Sequence, residues 1–475
     1  MPDFSYVLSF CPQSGQDLDL DGLRGLAIAD AVARARRGRG EAVAFAPVAG
    51  DDAPRAALEA FGIGYDWDAA LAPQDPAVAR WALWVLERLD AAGQLYQRGE
   101  EWRLRSGKLH GESEAALDRL AGWTPAALAA QRELLAHVDA PADGGDELSE
   151  SLSKLAAAGW SVDNRKDKGA PEVHYAAGDL PVARGESWSE AAALHPRLTA
   201  ALARLLAGAS AEVRVGEPGA AAATWLPAAL TVADRDSAEA LLDMRTVARA
   251  LRDAGALELA DGEPLGPVLM HRPLRLKPVR RRPGGLGESG AGGGGAGANG
   301  TAAAAEAGAT AATEPDPNDL VALAETHGPE AVRFALLHAA APEKRFGGGA
   351  DVVAYAERLL ARLREHAPAR IAGGADAEIA LDDGLRRRLA RWCEIASARM
   401  AQNYDTAALH RATRNAARLA DRIVAFESLV ADRRGTPEPA DTAAIAAALT
   451  TLARLLEPLA PHTAGELLAA AGAEA

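Results

Sequence analysis

A short apolar run, Tyr6-Val7-Leu8-Ser9-Phe10, leads through a polar loop into a segment with apolar residues at helical spacing, Leu23, Leu26, Ile28 and Val32. A second short run, Ala42-Val43-Ala44-Phe45-Ala46, follows directly. Brief runs of β-branched and aromatic residues read as buried strands, so the order is strand, helix over 23–37, strand. Strands joined this way pair in parallel with a right-handed crossover, the opening unit of a doubly wound sheet. Ligands of such sheets sit beyond the carboxyl ends of the strands. The loop from Cys11 to Gly22 is therefore where a nucleotide is expected.

The 475 residues leave room for two or three domains and a large core. Residues 77–98 read as an amphipathic helix carrying Trp81, Trp84, Val85, Leu89 and Leu95. Helix signals return at 190–207 and 237–254, with strand material at Trp225-Leu226-Pro227 and Leu230-Thr231-Val232 between them. From Pro283 to Thr313 the chain is Gly/Ala-rich without periodicity, the composition of a disordered linker. Residues 318–338 and everything from 351 onward read as helix, with breaks near 367–378 and 433–440. The expected division is an α/β unit over 1–282, a linker over 283–317, a connecting helical segment over 318–350 and an all-α domain over 351–475.

Composition excludes several classes. No apolar run is long enough to cross a bilayer, and Met1-Pro2-Asp3-Phe4-Ser5 lacks the pattern of a secretory signal, so a cytoplasmic protein is expected. Cys11 and Cys393, the two cysteines, support neither a disulfide framework nor a cysteine metal site. Asp17, Asp19 and Asp21 alternate, but the later positions of a calcium loop are missing, and no metal is expected. A net charge of −15 argues against a general nucleic-acid binder while leaving space for a local basic face, at Arg386-Arg387-Arg388 and Arg391.

Two distant stretches fit one template. Pro12-Gln13-Ser14-Gly15 precedes Asp19-Leu20-Asp21-Gly22 and Leu26-Ala27-Ile28-Ala29-Asp30; far downstream lie Asp316-Pro317-Asn318-Asp319-Leu320, Gly328-Pro329-Glu330-Ala331-Val332-Arg333-Phe334 and Ala341-Pro342-Glu343-Lys344. Phe61-Gly62-Ile63-Gly64-Tyr65-Asp66-Trp67-Asp68, Gly122-Trp123, Asn403-Tyr404-Asp405-Thr406-Ala407 and Leu459-Ala460-Pro461-His462 fall in the same order. The layout resembles a leucyl-tRNA synthetase, a class I aminoacyl-tRNA synthetase, without the editing insertion. The resemblance implies a Rossmann-like parallel-sheet domain followed by a helical anticodon-binding-like bundle. It also implies ATP as cosubstrate and leucine and tRNA as ligands.

The departures bear on function. Where the family has the histidines of Pro-x-Ser-Gly-x-x-His-x-Gly-His, this chain has Asp19 and Gly22. Its Gly-Gly-x-Glu-His motif falls on Ala233-Asp234-Arg235-Asp236-Ser237, and no cation stands just before Asp316-Pro317, where the lysine loop belongs. Those groups stabilise charge on ATP, and carboxylates in their place oppose it. The expectation is a degenerate relative with no catalytic residues and no cofactor, binding tRNA, an amino acid or a protein partner. The alternative is an active ligase, or an enzyme activating an amino acid for another carrier, using ATP through atypical residues. Ser14 and Gly15 are the candidate anion contacts. Asp51, Tyr65 and Asp66 are candidates for an amino-acid pocket, against the reading that Tyr65-Asp66-Trp67-Asp68 only caps and packs a helix. Arg387, Arg388 and Arg391 are the candidates for tRNA.

Overall fold

The computed structural model describes residues 4–12, 18–50, 53–104, 161–165, 172–176, 180–208, 218, 229–234, 237–254, 268–277, 316–342, 344, 346–374, 380–381 and 383–472. The expected linker and Trp225-Leu226-Pro227 lie outside them. Strands β1 (Phe4–Leu8) and β2 (Ala42–Ala44) are parallel neighbours joined by helix α1 (Leu20–Arg37). Strands β8 (Leu230–Ala233) and β9 (Val268–Met270) complete a parallel sheet in the order β2-β1-β8-β9. Alternation along the strands splits the interior in two. Val7, Val43, Val232 and Leu269 enter one core, shared with α1 and the C-terminal helices. Tyr6, Leu8 and Ala233 enter the other, with α3 (Pro76–Ala91), α4 (Pro196–Ala207) and α5 (Ala238–Asp253).

The remaining N-terminal elements are the short helix α2 (Arg55–Ala60), an antiparallel sheet and a hairpin. The sheet orders β3 (Leu95–Arg98), β4 (Glu101–Leu104) and β7 (Leu180–Arg184); the hairpin pairs β5 (Ser161–Arg165) with β6 (Glu172–Ala176). Here the sequence reading of one helix over 77–98 is corrected. The helix ends at Ala91, and Gly93 at φ 66° turns the chain so that Leu95–Arg98 pairs as a strand. Likewise the reading of 190–207 shortens to α4, whose N-cap is His195 with Pro196 at the first helical position.

The C-terminal part is helical: α6 (Leu320–His327), α7 (Pro329–Ala339), α8 (Asp351–Gly374), α9 (Gly384–Asp405), α10 (Leu409–Arg434), α11 (Pro439–Leu456) and α12 (Pro461–Ala470). The single helix expected at 318–338 is two, because Gly328 sits at φ 83° and Pro329 cannot continue the preceding turn. The break expected near 367 comes later, since α8 runs through Pro368 to Gly374, held by buried Ala367 and Ile371 on either side of the proline. Among the described residues no helix is long and apolar enough to cross a membrane.

What joins sheet and bundle is a set of buried charges. Arg333 of α7 is fully buried; its Nη2 donates to Asp30 of α1 (2.6 Å) and to the Pro458 carbonyl (2.8 Å), and its Nη1 to the Gly62 carbonyl (2.9 Å). Its Nε donates to the Leu459 carbonyl at 3.1 Å. Asp30 also accepts from the Gly64 N–H (2.8 Å) and from Arg34 (2.9 Å), which reaches on to Glu457 (2.7 Å). Arg24, buried on the same helix, donates to the carbonyls of Arg272 (2.7 Å), Ala340 and Ala341 (both 3.0 Å).

Removing one member of a buried pair strands the other in low dielectric and costs about 3–5 kcal/mol. Arg333→Met is therefore expected to lower the unfolding free energy by about that amount, read from the urea midpoint. A loss below about 1 kcal/mol would show that the pair does not hold the two parts together.

Candidate functional site

The carboxyl ends of β1, β8 and β9 and the N-terminus of α1 come together, the position where an open α/β sheet takes its ligand. Asp19 is the N-cap of α1: extended at φ −106°, it accepts the Gly22 N–H on Oδ1 at 2.8 Å. Asp19 and Gly22, the two positions expected to stand where the family has histidines, thus form one capping pair, and a carboxylate occupies the positive end of the helix. Asp21, one turn in, accepts the Leu274 N–H and the Arg275 guanidinium, each at 2.7 Å. Burial pushes the Asp21 carboxyl up, only partly offset by those partners. This ties the segment after β9, including the nearest arginine, to the start of α1.

At the end of β8, Asp234 accepts both the N–H and the hydroxyl of Ser237, at 2.7 and 2.6 Å, over the N-terminus of α5. Ser237 is buried in that turn, and Asp236 lies outside the described residues. At the end of β9, His271 is buried with its ring against Gly25 of α1; a Cβ on that glycine would stand 2.6 Å from Nε2. Its Nδ1 makes no hydrogen bond among the described residues. Burial, then the nearby Arg24, pushes the imidazole down to about 4, against a smaller opposing pull from Asp234. Nothing in the sequence singled out His271, because the contact that defines it is with a glycine on a distant helix.

Ser14, Gly15 and Asp51 lie outside the described residues. Tyr65 is buried, its ring stacked on Phe45 with centroids 4.3 Å apart and its hydroxyl 2.6 Å from the Ser9 hydroxyl at the end of β1. Burial raises that phenol well above its ordinary value. Asp66 accepts the Phe45 N–H at 2.8 Å and pairs with Arg37 at 2.7 Å. Of the two, Tyr65 reaches the sheet end through Ser9, whereas Asp66 is held against α1 by Arg37.

The basic residues divide. Arg386, grouped with its neighbours in the sequence reading, is buried and paired with Glu438 (2.9 Å) and Asp441 (3.0 Å), so it leaves the candidate face. Arg387, Arg388 and Arg391 are exposed on α9. Arg387 also donates to the Leu381 carbonyl at 3.0 Å. Sequence reasoning missed the other half: Arg411, Arg414 and Arg418 are exposed on α10, and a shallow groove between the helices is lined by Ile395, Arg399, Asn415, Arg418 and Arg422. Arg422 lies over Trp392, 5.2 Å from the ring centre. The signal was present, since 411, 414, 418 and 422 recur at helical spacing. Over residues 384–434 there are eleven arginines against five carboxylates, in a chain whose net charge is −15.

No protein-family model matches the chain. Over 182 residues it is 28% identical to the leucine–tRNA ligase of Halorhodospira halophila, a stretch that takes in 33% of this chain and 22% of that protein's length. In fold, it matches the leucyl-tRNA synthetase of Agrobacterium radiobacter, solved in a ternary complex with tRNA and LeuAMS, at a TM-score of 0.62 and 12% identity, over 100% of this chain and 86% of that one. The methionyl-tRNA synthetase of Mycobacterium tuberculosis in complex with methionyl-adenylate matches at a TM-score of 0.58 and 14% identity, over 98% and 93%. The chain is leucyl-tRNA synthetase-like, with the class I synthetase fold: a Rossmann-like parallel sheet and a helical bundle.

The buried His271 makes stability depend on pH with a definite sign. A histidine in the unfolded chain titrates near about 6.5, whereas in the fold His271 is held down to about 4. The unfolded state takes up the proton first, so stability is complete above about pH 6.5 and falls as pH drops toward about 4. His338, also pushed to about 4 by burial with Arg414 beside it, acts with the same sign. Urea unfolding across that window is expected to show the decline, and His271→Asn to flatten it; an unchanged slope would mean the ring is not buried neutral.

Proposed function

We propose that this leucyl-tRNA synthetase-like chain has lost adenylate chemistry. It works as a binding protein, taking tRNA on the arginine face of α9 and α10 and keeping a pocket for an amino acid at the exit of β1. The observation that carries the first part is the capping of α1 by Asp19. In an ATP-using site of this fold the helix N-terminus meets phosphate, and here one of its N–H groups, that of Gly22, already serves the Asp19 carboxylate. Two unit charges about 4 Å apart repel by about 1 kcal/mol in water and about 4 kcal/mol near a shielded protein surface. That is a factor of about five to about a thousand in rate before any missing donor is counted.

The neighbouring groups offer no relief. Arg275 is committed to Asp21, Asp234 to the start of α5, and the buried His271 is neutral, so it brings no positive charge to a leaving pyrophosphate. Cys11, buried with its thiol pushed up to about 12, is no nucleophile at neutral pH. The tRNA reading rests on the arginine stripe, since phosphate contacts need clustered guanidinium groups and this cluster stands in a chain of net charge −15.

Leucine-dependent ATP–pyrophosphate exchange by the purified chain is expected to be absent. A turnover abolished by Tyr65→Phe would instead establish an active ligase with atypical residues. In a gel shift, tRNA is expected to bind with strong salt dependence, and Arg391→Glu with Arg418→Glu to weaken it by about tenfold or more. Binding that ignores both substitutions would move the partner to another face.

A further inference from the structure

The face of α4 turned toward α5 carries Arg197 and Arg204, two helical turns apart, and one buried carboxylate, Asp243. Asp243 is engaged by Arg197 through two bonds, of 2.8 and 2.5 Å. Arg204 makes no hydrogen bond and no ion pair among the described residues. Its guanidinium instead lies over the ring of Phe10, 5.3 Å from the centroid. Burial lowers this guanidinium from its ordinary range, and Asp243 offsets only part of that.

An arginine in the last turn of a helix ordinarily reaches solvent or the last carbonyls, where the dipole favours it. Arg204 is turned inward instead, over the second residue past the end of β1. Stacking on a ring does not satisfy the donors of a guanidinium, which lie in its plane and match a carboxylate two at a time. Among the described residues Arg197 holds Asp243, and the Arg204 guanidinium stands beside the strand end, where a ligand of this fold sits, with no carboxylate bonded to it.

We propose that Arg204 makes the β1 exit a carboxylate site, so that the amino acid taken by this chain has an acidic side chain. The assignment rests on the reading above, that an amino-acid pocket persists at the β1 exit. Phe10 supplies the apolar wall along the ligand's methylene groups, and Arg204 the paired donors for its terminal carboxylate. Leucine in the same place offers the half-buried Arg204 donors no carboxylate, which discriminates against it.

Titration calorimetry on the full chain, with L-glutamate, L-aspartate, succinate, inorganic phosphate and L-leucine, tests this. An acidic amino acid is expected to bind about tenfold or more tighter than leucine and tighter than phosphate, the advantage shrinking with added salt. Arg204→Met is expected to erase that preference and Arg204→Lys to retain part of it. Should Arg204→Met fail to fold by circular dichroism, Arg204→Lys and the wild-type ranking decide. Leucine binding as tightly as glutamate, phosphate binding best, no carboxylate binding at millimolar concentration, or a preference untouched by Arg204→Met would each overturn the proposal. Pyrophosphate exchange separates the two readings. Leucine-dependent exchange overturns the loss of chemistry, whereas absent exchange without glutamate binding overturns only the carboxylate site.

Discussion

The buried contact between Asp30 and Arg333 is the constraint on which the rest of the molecule depends. Burying a charge costs several kcal/mol unless its partners are in place, and here they are in place on both sides. Asp30 is filled by two guanidinium groups and a backbone N–H, and Arg333 by a carboxylate and three strong carbonyl acceptors. Those acceptors come from the loop after α2 and from the turn between α11 and α12. One side chain therefore sets the position of α1, and with it the sheet, relative to the end of the bundle.

Glu330, one turn earlier on α7, does the complementary job. Arg333 collects carbonyls at residues 458 and 459, whereas the Glu330 carboxylate accepts the N–H groups of His462 (2.6 Å) and Thr463 (3.2 Å) at the start of α12. Arg364 closes on the same carboxylate. A cation for the carbonyls and an anion for the first N–H groups of the next helix is the arrangement that orphaned backbone groups require. Arg24, by contrast, carries the buried charges toward the carboxyl end of β9, through the Arg272 carbonyl.

How much of this was legible follows from where each signal lives. The strand–helix–strand start could be read because Val7, Leu23 and Val43 obey short periods that sequence displays directly. The class of the C-terminal half was equally plain. The helix read through 98 and the single helix read at 318–338 failed at glycines, where a local turn with positive φ overrode a favourable apolar pattern. Arg386 was misplaced because a run of arginines does not reveal which member faces Asp441. Arg333 and Asp30 are 303 residues apart, and their pairing is set by packing alone. At the site, Asp19 and Gly22 stood out by sequence, but that Asp19 closes the helix by accepting from Gly22 did not.

Arginine serves two opposed purposes in this chain, and burial separates them. Arg24, Arg333 and Arg386 sit inside, where planar donors bind carbonyls and carboxylates that no ammonium could reach together. Arg388, Arg391, Arg411, Arg414 and Arg418 stand exposed on two adjacent helices of an otherwise acidic protein. A cluster of this kind in a chain of net charge −15 concentrates positive potential on one pair of helices. Because α9 and α10 pack on the same bundle that Arg333 and Glu330 join to the sheet, those arginines lie at a fixed distance from the exit of β1. The fold thereby keeps a fixed geometric relation between the arginine face and the carboxyl end of β1, whether or not a chemical step connects them.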